Sequence, residues 1–354
     1  MIPSLKAGKI IGDYKLIVKI GRGGYSQVFY VQDINKNLFY SMKIEKCSSE
    51  KKALHYEQKV FKSLNSSVYF PEFVKYGRTQ DYRFLVMECF GPSIETLCLI
   101  HIDKHLSLST SLRLSIEMLR CIQEFHNNGF IHRDIKPANF LLRKSKRYPI
   151  VLIDFGLARR YINPVDGEII QYREQPGYVG TNKFASLNAY KKIKLSQRDD
   201  LMSWFYSVIK IRTSKLPWDD IKDKGMTYDM KEKASVDQLI VKMPHQFKNI
   251  YEIINCLAID EKPDYDMIIA LISQAMEEND CNWNDPYDWE LMSNQEIEKI
   301  SIIPITPLDS TDSPNIPMNL PTIKTNENES QIAQEIVIDE SSIYYNTKSC
   351  CIIE

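Results

Sequence analysis

The chain contains the stretch Ile131-His132-Arg133-Asp134-Ile135-Lys136-Pro137-Ala138-Asn139-Phe140-Leu141. Asp134, Lys136 and Asn139 can point three polar groups from this one loop into a single cleft, and Pro137 stiffens the loop between them. Phosphoryl transfer needs such a trio. A carboxylate orients the acceptor hydroxyl, a cation neutralises the moving phosphoryl group, and an amide oxygen holds Mg²⁺. The stretch therefore predicts a phosphotransferase.

The same stretch resembles the H-R-D-L-x-x-x-N catalytic loop of protein kinases, with Ile135 at the Leu position. The alternative is a surface loop of solvated charges, which predicts nothing about the flanking sequence. The kinase interpretation requires an Asp-Phe-Gly triplet further along, and Asp154-Phe155-Gly156 follow the apolar residues 151–153. The two matches together favour the kinase interpretation.

The resemblance covers about residues 12–290 and implies an α+β, two-lobed kinase fold. We expect a small lobe with an antiparallel sheet over residues 12–88 and a mainly helical large lobe over residues 92–290. Within the large lobe, Ser109 or Ser111 is expected to cap a helix that continues through Phe125. Residues 197–209 start with an acidic cap and are then apolar nearly all round, which predicts the buried central helix of this lobe.

Nucleotide binding is expected at the hairpin over residues 20–28. Gly21 and Gly23 allow a tight turn whose amides approach phosphates closely, and Ser26 stands where the motif has a third glycine. An ordinary glycine hairpin is the alternative, because a single G-x-G is weak evidence. The resemblance implies contacts with ATP from the hairpin and from the crossing between the lobes, namely Ile20, Gly21, Arg22, Gly23, Gly24, Tyr25, Ser26, Gln27, Val28, Glu88 and Phe90.

Lys43 interrupts an apolar strand, and Glu57 lies on the helical stripe formed by Leu54, Phe61 and Leu64. A carboxylate centred on an apolar stripe needs a partner, because burying an unpaired charge is unfavourable. The pair resembles the strand lysine and helix glutamate that align the nucleotide phosphates in kinases, so both belong to the predicted ATP site. Two surface charges are the alternative.

The resemblance also distributes the chemical roles. Asp134, Lys136 and Thr181 are expected to be catalytic, and Asn139 and Asp154 to hold Mg²⁺. Lysine at position 136 is the serine/threonine-kinase form of the loop, so protein serine and threonine side chains are the expected acceptors. The competing class is a pseudokinase scaffold that binds partners without chemistry, favoured by Ser26 and by the absence of an Ala-Pro-Glu motif.

Two segments resemble the casein kinase 1 superfamily in particular: residues 91–95, Gly-Pro-Ser-Ile-Glu, and residues 180–188, Gly-Thr-Asn-Lys-Phe-Ala-Ser-Leu-Asn. Leu216-Pro217-Trp218 and residues 285–290 look most like tau-tubulin kinases. Residues 172–174, Tyr-Arg-Glu, are similar to casein kinase 1 itself, and both subgroups stay open.

A preference for acidic or phosphorylated substrates is predicted from basic residues on the substrate side of the cleft. The alternative is that some of them pair locally with Glu168 and Glu174. The residues predicted to hold substrate anions are Arg159, Arg160, Arg173 and Lys183.

Composition limits the partners and the compartment. Residues 1–290 carry a net charge of about +6 without a dense basic stripe, so nucleic acid is not an expected partner. The 8 cysteines show neither disulfide nor zinc spacing, and the first residues contain no apolar run typical of a signal peptide. We expect a monomer in the cytoplasm or the nucleus.

We expect residues 1–11 to form an N-terminal extension and residues 291–354 to form a disordered acidic tail. The tail ends Cys350-Cys351-Ile352-Ile353-Glu354, where Cys351 has the C-a-a-X arrangement of prenylation and Cys350 is available for palmitoylation. Membrane association is expected only if these thiols are lipidated. The alternative is two tail thiols with no role, because terminal Glu is not a favoured X residue.

Overall fold

The computed structural model describes residues 5–24, 26–49, 52–64, 66–143, 145, 148–170 and 177–292. Tyr25, Arg173, Cys350 and Cys351 lie outside the described residues, as does the predicted tail from residue 293 onward. Within the described ranges, no helix is both long and apolar enough to cross a membrane.

The small lobe is built on a six-stranded antiparallel sheet in the order β1-β2-β3-β4-β6-β5. Its inward residues, among them Leu16, Val31 and Met42, form an apolar layer, as expected for strands with one buried face. Leu5 and Ile11 join that layer, so the described part of the N-terminal extension packs onto the lobe. The strands are β1 (Ile10–Ile11), β2 (Tyr14–Arg22), β3 (Ser26–Asp33), β4 (Phe39–Lys46), β5 (Phe73–Arg78) and β6 (Tyr82–Met87).

One helix, α1 (Ala53–Ser63), belongs to the small lobe and packs towards the large one. Its buried face contains Leu54, Glu57, Val60 and Phe61, which matches the stripe predicted from the sequence. Leu54 and Phe61 belong to the apolar core of the large lobe, so α1 contacts both lobes.

The large lobe is mainly helical and carries short strands around the catalytic loop. Its helices are α2 (Ile94–Ile100), α3 (Leu108–Asn127), α4 (Leu187–Lys191), α5 (Gln197–Thr213), α6 (Lys224–Lys233), α7 (Val236–Leu239), α8 (Gln246–Cys256) and α9 (Tyr265–Glu278). Its strands are β7 (Phe130–Ile131), β8 (Phe140–Leu142), β9 (Ile150–Leu152) and β10 (Arg159–Arg160); β7 pairs with β10, and β8 with β9, both antiparallel. The expected α+β, two-lobed architecture is confirmed.

Helix α3 starts earlier than predicted. Its N-cap is Ser107 rather than Ser109 or Ser111, and the Ser107 hydroxyl accepts a hydrogen bond from Thr110 N at 3.2 Å. The carboxylate of Asp288 accepts hydrogen bonds from both the amide and the hydroxyl of Ser107, each at 2.6 Å. Asp288 fixes the start of the helix from far along the chain, so the local pattern could not reveal it.

Helix α5 is buried along most of its length and packs against α3 and α8, as its apolar composition predicts. The expected acidic cap is only partly correct. The N-cap residue is Ser196, and Asp199 in the first turn accepts a hydrogen bond from the Ser196 amide at 2.8 Å. The following residue, Asp200, points to the catalytic loop instead.

Candidate active site

The backbone of the catalytic loop is held by Asp200 of α5. Its two carboxylate oxygens accept hydrogen bonds from His132 N at 2.6 Å and Arg133 N at 2.8 Å, and from His126 Nε2 at 2.9 Å. Burial alone would raise the pKa of Asp200, but the hydrogen bond and charge of His126 outweigh it and lower that pKa. An ionised carboxylate therefore anchors the loop, where Arg133 adopts a φ of 65°.

Asp134, Lys136 and Thr181 form one hydrogen-bonded cluster. Lys136 Nζ lies 2.6 Å from Asp134 Oδ2 and donates to Thr181 Oγ1 at 3.0 Å. The amide and the hydroxyl of Thr181 both donate to Asp134 Oδ1, at 3.0 and 2.6 Å. The cluster fixes the orientation of the carboxylate, and it joins all three residues expected to be catalytic.

Gly180 allows Thr181 to approach this closely. Its φ is +104°, and a Cβ at this position would lie 2.9 Å from the carbonyl oxygen of Arg133. Any side chain would push the segment away from the catalytic loop. The glycine of the Gly-Thr pair therefore has a steric role.

His132 is fully buried and connects the catalytic loop to the strand before Asp154. Its Nε2 lies 3.1 Å from the carbonyl oxygen of Ile153, and its Nδ1 lies 3.3 Å from the amide of Asp134. Burial lowers the pKa of His132, so the ring is neutral, donating through Nε2 and accepting at Nδ1. Sequence reasoning assigned no role to this residue, although its place in the loop motif was a signal.

The two predicted metal ligands fit a divalent cation. Asn139 Nδ2 donates to the carbonyl of Asp134 at 2.8 Å, which leaves the amide oxygen as the atom available to a cation. The charge of Lys43 lowers the pKa of Asp154 to about 2, so this carboxylate is ionised, and its side chain is 42% exposed. Two oxygen ligands of this kind match the way proteins bind Mg²⁺, which keeps water and substrate phosphates as its other ligands.

Lys43 of β4 bridges the two lobes through a pair of carboxylates. Its Nζ lies 2.6 Å from Glu57 Oε2 and 2.7 Å from Asp154 Oδ1. Burial alone would lower the pKa of Lys43, but the two carboxylates raise it, so the ammonium stays charged. The pairing expected between Lys43 and Glu57 is present. The cation therefore stands next to the predicted metal ligand.

Phe155 packs between the two lobes and stabilises the positions of Glu57 and Asp154 beside Lys43. The ring is fully buried, with ring centroids 4.8 Å from Phe61 of α1 and 5.0 Å from Phe125 of α3. Because Phe155 fills the space between the two helices, Glu57 is held towards Lys43 and Asp154 towards the cleft. Asp154 itself has a φ of 68°, a strained conformation that is often found at functional sites.

The glycine hairpin and the crossing between the lobes lie on either side of Lys43 along the sheet. The amide of Gly23 donates to the carbonyl of Ser26 at 2.8 Å, and Gly21 pairs with Val28 across β2 and β3. At the crossing, the Glu88 carboxylate lies 3.3 Å from Arg143 Nη2, and the Arg143 guanidinium lies 5.2 Å from the centre of the Phe90 ring. The side chains of Glu88 and Phe90 are thus engaged with Arg143, which leaves backbone groups for an adenine.

The predicted anion-binding residues have different environments. Arg160 is buried, with its guanidinium 4.3 Å from the centre of the Phe130 ring. Lys183 is 35% exposed and lies 3.2 Å from Asp219. Arg133 of the catalytic loop donates to the carbonyl of Leu157 at 2.7 Å. The burial of Arg160 favours a structural role for that side chain, while Lys183 stays at the surface.

Comparison with known proteins relates the chain to protein kinases. A family model for the protein kinase domain matches residues 14–280. A protein of Dictyostelium discoideum named as a probable serine/threonine-protein kinase is 35% identical over 291 residues, which cover 81% of this chain and 59% of that protein. The chain thus spans less than two thirds of the length of this relative.

Proposed function

The chain belongs to the protein kinase family, and we propose that it transfers the γ-phosphoryl group of ATP to serine and threonine hydroxyls of proteins. The observation that carries this proposal is the single cleft in which Asp134, held by Lys136 and Thr181, shares the site with Asp154, held by Lys43. Each side chain that phosphoryl transfer needs is present and is held by a neighbouring residue.

The proposed roles follow from the contacts. When bound, ATP supplies the phosphoryl group and Mg²⁺ neutralises the charge of the phosphates. Asp134 accepts the proton of the acceptor hydroxyl through a carboxylate that is already oriented, and Lys136 stabilises the negative charge of the transferred group. Asn139 and Asp154 would hold the metal through side-chain oxygens, and Lys43 would bind the α- and β-phosphates. A phosphoester bond forms between the acceptor oxygen and the γ-phosphorus while the bond from that phosphorus to the bridging oxygen breaks, and ADP leaves.

A phosphotransfer assay tests the proposal. We expect transfer from radiolabelled ATP to a mixture of serine and threonine peptides, and a loss of about 100-fold or more for Asp134→Asn, because that change removes the proton acceptor. Asp103→Asn is the matched control, since Asp103 lies on an exposed turn. The pseudokinase alternative predicts that the wild type and Asp134→Asn both stay at background.

We also propose a preference for acidic or phosphorylated substrates. Lys183 supports it, because its ammonium is partly exposed and Lys210, which also pairs with Asp219, adds a second cation beside it. A peptide library read with the wild type and with Lys183→Gln distinguishes the possibilities. Selection of acidic residues that weakens in Lys183→Gln supports the preference, whereas selection of basic residues contradicts it.

We further propose that the chain belongs with the casein kinase 1 superfamily, in the tau-tubulin group. Residues 186–188 support this, because Ser186 Oγ and Asn188 Nδ2 both donate to Asp199 Oδ1, at 2.7 and 2.9 Å. The Ser-Leu-Asn sequence thus ties the segment to the start of α5, where other kinases have Ala-Pro-Glu. Parallel assays with tubulin and casein test the subgroup, and a strong preference for casein would count against the tau-tubulin assignment.

The remaining predictions concern the cell. We propose a monomeric enzyme in the cytoplasm or nucleus, with a membrane-bound fraction only if Cys350 and Cys351 are lipidated. Cell fractionation and mass spectrometry of the C-terminal peptide from the native source test these points. An unmodified peptide ending in Glu354 would remove the lipid anchor.

A further inference from the structure

A lysine of α6 is buried against the segment that contacts Asp134. Lys231 is only 4% exposed, and its Nζ donates hydrogen bonds to the carbonyl oxygens of Ala185 at 2.6 Å and Asn182 at 3.1 Å. In the part of the chain that the structure describes, no carboxylate forms an ion pair with this side chain. Burial lowers its pKa well below the usual value. A buried cation without a counter-ion is costly, so it requires another source of stabilisation.

Aromatic rings supply part of that stabilisation. The Lys231 ammonium lies 4.9 Å from the ring centres of Tyr206 and Trp218 and 5.3 Å from that of Tyr190. The faces of aromatic rings attract cations electrostatically, and the attraction is strongest where water is excluded. Three rings and two carbonyls therefore form a site built around one side chain.

The same region of the large lobe holds the segment through three further contacts. The hydroxyl of Tyr190 donates to the carbonyl of Asn182, which Lys231 also binds, at 2.6 Å. Asn182 Nδ2 donates to Thr227 Oγ1 of α6 at 2.9 Å, and Trp218 Nε1 donates to the carbonyl of Lys183 at 2.8 Å. The carbonyls of residues 182, 183 and 185 are thus all fixed from the large lobe, two of them by Lys231. Residues 182–185 form a turn, and among these contacts only those of Lys231 join its two ends, Asn182 and Ala185.

The turn at residues 182–185 is joined to the catalytic carboxylate of Asp134 through Thr181. Thr181 precedes Asn182, and its carbonyl accepts hydrogen bonds from the amides of Phe184 and Ala185, both at 2.9 Å. Its amide and hydroxyl hold Asp134, as described above. We propose that Lys231 is a positioning residue for phosphotransfer, which clamps the turn at residues 182–185 so that Thr181 keeps Asp134 oriented. The kinetic part of this inference rests on the proposed function.

Arg113 offers a matched control. It is also a fully buried cation: its guanidinium donates to the carbonyls of Asp285 at 2.7 Å and Pro286 at 3.1 Å, and lies 4.0 Å from the centre of the Tyr287 ring. Arg113→Met therefore removes the same kinds of contact far from Thr181. Both substitutions are expected to lower the melting temperature, and only Lys231→Met should affect the turn.

The experiment combines hydrogen exchange with kinetics. In Lys231→Met we expect amide exchange in residues 180–188 to speed up about tenfold, because the carbonyls of Asn182 and Ala185 lose the hydrogen bonds from Lys231. In Arg113→Met the faster amide exchange should occur in residues 281–290 instead. The kcat for a peptide substrate should drop about tenfold in Lys231→Met, with the KM for ATP within about twofold of the wild type. Thr227→Val, a change of similar shape that removes the bond to Asn182, should show a smaller effect in the same direction.

The readouts separate the two proposals. A wild type without transfer overturns the proposed kinase activity, while the exchange of residues 180–188 still tests the clamp. Unchanged exchange in this segment in Lys231→Met, or an equal loss of kcat in Arg113→Met, overturns the positioning role. If Lys231→Met fails to fold, Lys231→Gln, which keeps a donor for only one of the two carbonyls, decides the question by the same two measurements.

Discussion

Two adjacent buried carboxylates in α5 should respond very differently to neutralisation. Burial raises the pKa of Asp199 in spite of hydrogen bonds from Ser186, Ser196 and Asn188, whereas the pKa of Asp200 is lowered although burial opposes this. The fold therefore disfavours the charge on Asp199 and favours the charge on Asp200. We expect Asp200→Asn to destabilise the protein more than Asp199→Asn.

The hydrogen bonds of Asp200 allow the loss of stability in Asp200→Asn to be estimated. An asparagine keeps one acceptor oxygen but turns an NH₂ group towards a backbone amide, so His132 N or Arg133 N loses its acceptor, at a cost of about 1–3 kcal/mol. The two remaining hydrogen bonds lose the carboxylate charge, about 1 kcal/mol each. The sum is about 3–5 kcal/mol, or about 6–10 °C in melting temperature for a domain of this size. For Asp199→Asn we expect about 1–2 kcal/mol.

Thermal unfolding of the two variants and the wild type, followed by circular dichroism at neutral pH, measures this difference. Phosphotransfer assays below the transition should also show a lower kcat for Asp200→Asn, because the catalytic loop loses its anchor. An Asp199→Asn protein that melts at or below the temperature of Asp200→Asn would refute the reasoning, because the opposite pKa directions would then not reflect the stability of the charged forms.

Three further predictions follow from single contacts. Lys43→Met should destabilise the protein by about 3–5 kcal/mol and lower its melting temperature, because Glu57 is left buried without a counter-ion. Adding Glu57→Gln should recover part of the lost stability. Equal melting temperatures of the single and double variants would contradict this. The pKa of His132 is lowered by burial, so as the pH is lowered through about 6.5 the unfolded state binds the proton before the folded state does. The free energy of unfolding therefore decreases as the pH is lowered, by at most about 1.4 kcal/mol per pH unit. The difference in melting temperature between pH 7.5 and 5.5 should therefore be smaller in His132→Asn, and an unchanged difference would exclude this residue. Gly180→Ala should lower kcat and destabilise the protein by about 1–3 kcal/mol through the clash with the Arg133 carbonyl, as kinetics and calorimetry would show.

The sequence by itself determined the chemistry of the site. Asp134, Lys136 and Asn139 lie within one loop, so their spacing alone predicts that they share a cleft. The Lys43–Glu57 pair was predictable for a related reason: a charge on an apolar stripe needs a partner, and the strand just before the helix carried a suitable one. Both inferences use rules that act over a few residues or between neighbouring elements.

Only the tertiary structure decided which polar residues serve the fold. Arg160 looked like a surface cation, yet it lies over Phe130, and Asp288 fixes the start of α3 at Ser107. Lys231 belongs to the charged sequence Lys231-Glu232-Lys233, which is typical of a solvated helix, yet its ammonium is enclosed by three aromatic rings, those of Tyr190, Tyr206 and Trp218. The physical reason is that burial and hydrogen-bond partners are set by residues distant in the chain. No local periodicity records which of several like charges will be enclosed when the helices pack.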